Sequence, residues 1–302
     1  MHESIMLEEM RAFVLLAEEG SIQRVAERIP LTQPAVTRQI QRLESAIGTE
    51  LLDRRLKPSG LTPAGVEVLS RCRQILSAYT DMKAVGSRIE PEGMLRVGIT
   101  NGLVDDRLAR IVSGMQTKFP KVTLKLITGW SDPLADQLRR GMLDVAFVLS
   151  GSAGMAHAEN LGREPIAVVG ACDLVRDRRF RPATIADQPW ILNPEPCDAR
   201  RCLTTALAPH DRRLNIAAEV QDVRLQLALV REGVGFSLMP HRLLASGSLP
   251  GIDVVEVDDF DLLLGVQVQR SPYLHTLELV VDALAAAVGT LIRDEAGQLV
   301  VR

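Results

Sequence analysis

The stretch ERIPLTQPAVTRQIQRLESAIG, residues 27–48, decides how the chain is read. Pro30 stops one helical segment, and Thr32 stands where it can cap the next, with Pro34 inside that helix's first turn, where a missing N–H costs nothing. Val36, Ile40 and Leu43 recur at i, i+4, i+7 and make a thin apolar seam. Gln33, Thr37, Arg38 and Gln41 fall away from it. Such side chains can bond to base edges and phosphates in a major groove. A solvated helix with ordinary capping would use the same residue types, so the polar face alone leaves both readings open.

The flanks narrow the choice. Leu7, Met10, Phe13, Val14 and Leu16 predict a helix over 7–19 that ends before Gly20, and Ser21 can cap a second helix, Ile22–Ile29. About three residues then separate the second and third helices, the turn length of a helix-turn-helix unit. Downstream, ELLDRRLKPSGLTPAG (50–65) sets two short apolar runs around Arg54, Arg55, Lys57, Pro58 and Gly60, which reads as a small hairpin with a basic tip. The composite is a winged helix-turn-helix, all-α with a small β wing, whose wing cations would lie on phosphates or reach the minor groove. For the hairpin alone, a solubilising turn is the alternative. Residues 24–57 hold seven Lys/Arg against four Asp/Glu while the whole chain carries −3, so the sequence offers a small basic face rather than a basic protein.

From Pro63 to about Arg88, Val66, Leu69, Ile75, Leu76, Tyr79 and Met82 form one helical stripe, which needs a partner to bury it. Two copies packed together would make a dimer and space two reading helices. EPEG (90–93) ends this segment. Beyond it, the strand-like runs 94–100, 122–129, 143–149 and 165–171, with helical patterns at 103–118 and 132–141, predict a parallel sheet with crossovers. Strand-like 189–193, helix 199–207, strand-like 214–220, a helix from Val223 to Glu232, GVGFSLMP, the return strand 262–268 and a closing helix at 274–293 follow.

A chain of 302 residues suggests about two domains, and 46% hydrophobic residues are enough for sizeable cores. The most apolar segment, 277–292, carries Glu278 and Asp282 and reads as a buried amphipathic helix, so no membrane partner is expected. The first residues lack the basic, apolar and small-residue order of an export signal, which places the protein in the cytoplasm. Cys72, Cys172, Cys197 and Cys202 form neither a disulfide framework nor a C-x-x-C pair.

At this point the residues resemble the LysR-type transcriptional regulators. FVLLAEEGSIQRVAERIPLTQPAVTRQIQRLESAIGTELLDRR with LTPAG carries the resemblance at the front, and FPKVTLKLITGWSDPLADQLRRGMLDVAFV with VQDVRLQLALVREGVGFSLMP carries it behind. The resemblance implies a winged helix-turn-helix at 6–65, a dimerising linker helix and hinge at 66–91, and a two-lobed α/β effector-binding domain at 92–302, like periplasmic binding proteins. Lobe 1 would take about 92–163 and 268–302, lobe 2 about 164–267. It also implies a tetramer built as a dimer of dimers, with operator DNA, RNA polymerase and a small-molecule effector as partners. By motif position Thr32, Gln33, Pro34, Thr37 and Arg38 correspond to the DNA-reading stretch, joined by Gln41 and Arg42, and Arg54 corresponds to the wing's basic residue, joined by Arg55 and Lys57.

The effector cleft also follows from the sheet, since ligands of open parallel sheets bind beyond the strands' carboxyl ends. Those ends are Thr100 and Asn101, Trp130 and Ser131, and Leu149 and Ser150. Asn193, Arg200 and Arg201 would face them from the second lobe, with Gly235 and Ser237 near the hinge side. Thr100 and Ser131 could instead be helix caps. Asp105 and Asp106 disfavour an anion near the first helix while Arg200 and Arg201 favour one near the second lobe, so the ligand's charge stays open.

Three rival readings are set against this. An enzyme lacks support: there is no Walker A sequence, G-x-G-x-x-G, H-E-x-x-H or G-x-S-x-G, and the five histidines are scattered. A transporter's solute-binding protein would need an export signal and no DNA-reading front. A redox-sensing regulator would use Cys197, its pKa lowered by Arg200 and Arg201, with Cys202 as partner. A metal site from Cys197, Cys202 and His210 is weaker, and no cofactor or metal is expected.

Overall fold

A computed structural model describes residues 2–55, 59–84, 90–151, 158–176, 179–210, 213–245 and 249–299. The chain starts with helices α1 (His2–Glu19), α2 (Ile22–Arg28) and α3 (Gln33–Ile47), a two-residue antiparallel pair β1 (Leu52–Asp53) and β2 (Gly60–Leu61), and the long helix α4 (Pro63–Ala84). Phe13, Val25, Val36, Ile40, Leu43, Leu51 and Leu69 are all buried together, so the seam of residues 27–48 closes onto the two helices before it. Ser21 accepts from the N–H of Arg24 and caps α2 as expected. Thr32 stands at the N-cap of α3 with extended backbone, yet its hydroxyl makes no capping bond.

LTPAG is explained by the start of α4. Thr62 Oγ1 accepts from the N–H of Gly65 and donates to the carbonyl of Glu50, and a Cβ at Gly65 would stand 2.1 Å from the carbonyl oxygen of Leu51. Only glycine lets the helix start this close to the wing. The expected apolar stripe of α4 splits in two. Leu69, Cys72 and Leu76 pack into the reading domain's own core, while Ile75 and Met82 stay exposed, at 44% and 65%.

The second domain begins with β3 (Gly93–Thr100), α5 (Asp106–Lys118), β4 (Val122–Gly129), α6 (Ser131–Arg139) and β5 (Val145–Ser150). These strands run parallel in the order β4-β3-β5, with a crossover helix on each face. The long β6 (Ala158–Ala171) follows, then α7 (Cys172–Val175), β7 (Arg179–Phe180), α8 (Pro182–Ala186), β8 (Pro189–Leu192), α9 (Asp198–Leu207), β9 (Asn215–Glu219), α10 (Val223–Arg231), β10 (Ser237–Pro240), α11 (His241–Ala245), β11 (Ile252–Val254) and β12 (Glu256–Val257). The chain returns through β13 (Leu262–Arg270) to α12 (Glu278–Leu299).

An all-parallel sheet is not what forms. β13 runs antiparallel to both β5 and β6, and β6 runs antiparallel to β10 and β11, so one seven-stranded mixed sheet passes through both lobes. The lobe divisions expected at 163/164 and 267/268 fall inside β6 and β13, next to a register irregularity between Val266 and Gln267. The cause is burial: 165–171 reads as a buried strand, and nothing in its apolar run marks the polar half from Ala158 that pairs with β13. The closing helix behaves as expected, burying Val280, Val281, Leu284, Ala285, Val288 and Ile292 against lobe 1.

Candidate nucleic-acid interface and ligand cleft

Val36, Ile40 and Leu43 hold α3 with Gln33, Pro34, Arg38, Gln41 and Arg42 exposed and Thr37 half-buried, its hydroxyl donating to the carbonyl of Gln33. Gln33, Pro34, Thr37, Arg38 and Gln41 line a shallow groove completed by Ile22 of α2. The charge count along residues 24–57 overstates the free cations. Arg28 is paired with Glu19 at 2.5 Å, Arg54 with Glu44 at 2.6 Å, and Arg55 with both oxygens of Asp53 at 2.8 Å. Among the described residues, Arg24, Arg38 and Arg42 form no ion pair and stay exposed. Arg24, on α2 two residues from Ile22, is therefore a candidate contact that motif position did not give.

The wing corrects the sequence reading in another way. Glu44, nominally a charge on the polar face of α3, is buried and accepts from the N–H groups of Leu51 and Leu52 at 2.9 and 3.3 Å as well as from Arg54. It anchors the hairpin, and Arg54 is half engaged in that anchor rather than free for a phosphate. Hydrogen bonds from Arg55 hold the Asp53 carboxyl down to about 2. Lys57 lies outside the described residues.

In the second domain β4 and β5 flank β3 on opposite sides, so the crossovers diverge between the ends of β3 and β5, the switch point where a crevice opens. Ser131 fills its floor. It is the first residue of α6 rather than its cap, its Oγ accepts from the N–H of Leu149 at 3.0 Å, and it donates weakly to Thr100 Oγ1 at 3.4 Å. Neither Thr100 nor Ser131 caps a helix through its side chain. Thr100, Asn101, Trp130 and Leu149 line a small cavity against Asn193 of the second lobe, while Ser131 stays behind the wall.

The expected lobe-2 cations are not there. Arg200 is held by Glu219 at 2.6 Å and Glu195 at 3.3 Å and donates to the carbonyl of Asn193. Arg201 reaches across the lobes to Asp132 at 2.8 Å and is also tied to Asp198 at 2.6 Å. Both guanidiniums are consumed by carboxylates distant in sequence or one turn away. Gly235 and Ser237 are corrected too. A Cβ at Gly235 would meet the Pro189 carbonyl at 2.4 Å, and the Ser237 hydroxyl donates to the carbonyl of Ile191 and accepts from Gln226 inside lobe 2. Gln226, like Gln221 and Asp198, is a polar cleft residue the sequence reading missed: it is buried, lines the cavity and lies 3.5 Å from the Asn193 amide. Its place on α10, three residues after the start, was the only available signal.

Among the described charged residues only Asp198 lines the cavity, and it is paired. The cavity measures about 70 Å³, room for about two waters. A second ion-pair cluster lies beside Gly102 of the cavity wall. Arg242 of α11, 1% exposed, is bound to Asp105 at the start of α5, to the carbonyl of Gly102 and to Glu164 of β6 at 3.2 Å. Burial pushes the Glu164 carboxyl up and the Arg242 guanidinium down against their mutual attraction.

Cys197 caps α9 in a buried position, 4.0 Å from Asn193 Oδ1, and Cys202 faces the Leu263 carbonyl at 3.9 Å. Burial pushes both thiols up, so the activation expected from Arg200 and Arg201 is overturned: those cations belong to carboxylates. Among the described residues no group of three His, Cys, Asp or Glu could hold a metal ion, and no helix is long and apolar enough to cross a membrane.

Residues 7–66 match the bacterial regulatory helix-turn-helix protein family model of the lysR family, and residues 88–287 match the LysR substrate binding domain. The transcriptional regulator BenM of Acinetobacter baylyi is 25% identical over 285 residues, covering 90% of this chain and 93% of its own. Full-length OxyR from Pseudomonas aeruginosa has the same fold, with a TM-score of 0.76 at 20% identity over 93% of this chain and 94% of its own. So does full-length CbnR in complex with its target DNA, at 0.58 and 22% identity over 93% and 99%. With one model on the reading helix and its wing, and the other on the lobes around the cavity, the chain belongs to the LysR family of bacterial helix-turn-helix regulators, DNA-binding proteins whose activity an effector controls.

Proposed function

We propose that α3 enters the major groove of an operator with Thr32, Gln33, Pro34, Thr37, Arg38, Gln41 and Arg42, assisted by Arg24, while Arg54 and Arg55 add weaker backbone contacts. The observation that carries this is the pair of exposed, unpaired arginines, Arg38 and Arg42, on the face opposite a fully buried seam. Two copies associate through the outer face of α4, where Ile75 and Met82 are exposed at helical spacing, and dimers pair into tetramers. The protein acts in the cytoplasm on RNA polymerase recruitment, without catalysis, metal or cofactor.

The effector lies between the lobes. Its wall supplies hydroxyl and amide groups from Thr100, Asn101, Asn193 and Gln226, and apolar surface from Trp130, Leu149, Met239 and Leu243, with no unpaired cation. That chemistry suits an uncharged molecule with hydrogen-bonding groups better than a free acid. At about 70 Å³ the cavity is far below the roughly 300 Å³ of ordinary ligand pockets, so the effector must bind a more open arrangement and favour it. The test has two arms on the full chain: selection of bound duplexes from a random pool, and a thermal-shift screen of uncharged amides, alcohols and lactones beside the matching acids. Selection without a consensus would overturn the operator reading, and stabilisation by acids alone would overturn the effector class.

A further inference from the structure

Among the described residues a cavity larger than the cleft between the lobes stands elsewhere. About 840 Å³ lies between the linker helix α4 and lobe 1, lined on one side by Ser70, Arg73, Gln74, Leu76, Ser77 and Thr80. The opposite wall is lobe 1, including Met94, Arg96 and Tyr273. Four guanidiniums and the carboxylates of Glu92 and Asp144 line the recess; Arg139 and Arg270 are paired with Asp136, Glu159 and Asp282 of lobe 1, while Arg73 and Arg96 face each other from the two domains. Arg96 is well served: it binds Asp144 at 3.2 Å and Glu18 of α1. Arg73 is not. Of its five donors, one reaches the carbonyl of Gly141 at 2.8 Å, and Glu18, already engaged by Arg96, stands 3.9 Å away. The Nε atoms of Arg73 and Arg96 are buried without a hydrogen-bond partner. Burial first, and the charge of Arg96 second, pull the Arg73 guanidinium down to about 10. A largely buried cation with so few bonds is unfavourable, and an anion beside it would satisfy both needs.

We propose that this cavity is a second ligand site, which takes a small organic anion with its carboxylate or phosphate head on Arg73 and Arg96 and its apolar body along Leu76, Met94 and Tyr273. The volume is that of a metabolite pocket rather than of a bare ion. The anion would join the reading domain to lobe 1 through one residue from each, and its chemistry is the opposite of that suited to the cleft between the lobes.

Isothermal titration of the full chain tests this with phenyl phosphate, benzoate and inorganic phosphate as probes. Phenyl phosphate or benzoate should bind, and Arg73→Gln should weaken that binding about tenfold or more through loss of charge-assisted bonds. Because Arg73 also holds Gly141, Thr80→Glu serves as a second variant. It places a like charge on the wall at a residue whose hydroxyl, among the described residues, bonds the Leu76 carbonyl of its own helix, and it should weaken binding as well. Asn101→Ala in the cleft should leave the titration as in the wild type. The site is overturned if neither organic anion binds, if both variants bind as the wild type does, or if Asn101→Ala abolishes binding. Inorganic phosphate binding as tightly as phenyl phosphate would remove the apolar half of the assignment.

Discussion

Arg38 and Arg42 on α3, and Arg200 and Arg201 on α9, look alike in sequence: closely spaced arginines on a helix that faces a candidate ligand. In the folded chain they differ completely. The first two are exposed and free of carboxylates among the described residues, while the second two are bound by Glu195, Glu219, Asp132 and Asp198. A cation's availability is set by what the fold brings within about 4 Å of it, and only the first pair is left to recognise an outside partner. The same division splits α4, where Leu69 belongs to the reading domain and Ile75 faces outward.

The comparison can be broken most forcefully at the most engaged arginine. Arg242→Ala leaves Glu164 buried without its ion-pair partner and Asp105 with Arg107 alone, and a stability loss of about 3–5 kcal/mol is expected in denaturant unfolding. Asp132→Asn, which breaks only the arm of the Arg201 contact that is half open to water, should lose no more than about 1 kcal/mol. Equal losses would mean that burial does not separate the two contacts between the lobes.

On α4, Leu69→Glu should unfold the reading domain, because a carboxylate there enters a closed core. Ile75→Glu should leave the monomer's circular dichroism and melting unchanged and reduce the mass seen by light scattering. A full-size assembly in the Ile75 variant would show that this face is not where copies meet.

At the free arginines, Arg38→Ala is expected to cost about 1–3 kcal/mol of preference for the operator over a scrambled duplex, with stability unchanged. Arg54→Ala should weaken both duplexes alike and also loosen the wing, because Glu44 loses a partner. Fluorescence anisotropy at two salt concentrations separates the cases, and an undiminished preference in the Arg38 variant would remove it from the reading set.

The smallest effect concerns Asp53, whose carboxyl is held at about 2 by Arg55 against an ordinary 3.8. A depressed carboxylate stabilises the fold fully above the unfolded value and loses that contribution as pH falls from 3.8 towards 2. Carboxyl carbon shifts followed by NMR should titrate low in the wild type and return to the ordinary range in Arg55→Ala.

By itself the sequence determined one set of elements and their order: the seam of α3, the turn before it, the hairpin, the buried strands of lobe 1 and the amphipathic closing helix. Each rests on local periodicity, capping and turn chemistry, which act over a few residues and are written in their spacing. It also located the floor of the cleft, because strand ends at a switch point follow from element order, and Thr100, Asn101, Trp130, Leu149 and Asn193 are indeed brought to one cavity. Tertiary structure alone decided the rest. Arg201 meets Asp132 69 residues away, Arg242 meets Asp105 137 residues away, and Glu44 turns inward because the wing's N–H groups arrive beside it. Ion pairs and close approaches of this kind depend on where distant segments meet, and no local pattern encodes which charges will be left unpaired.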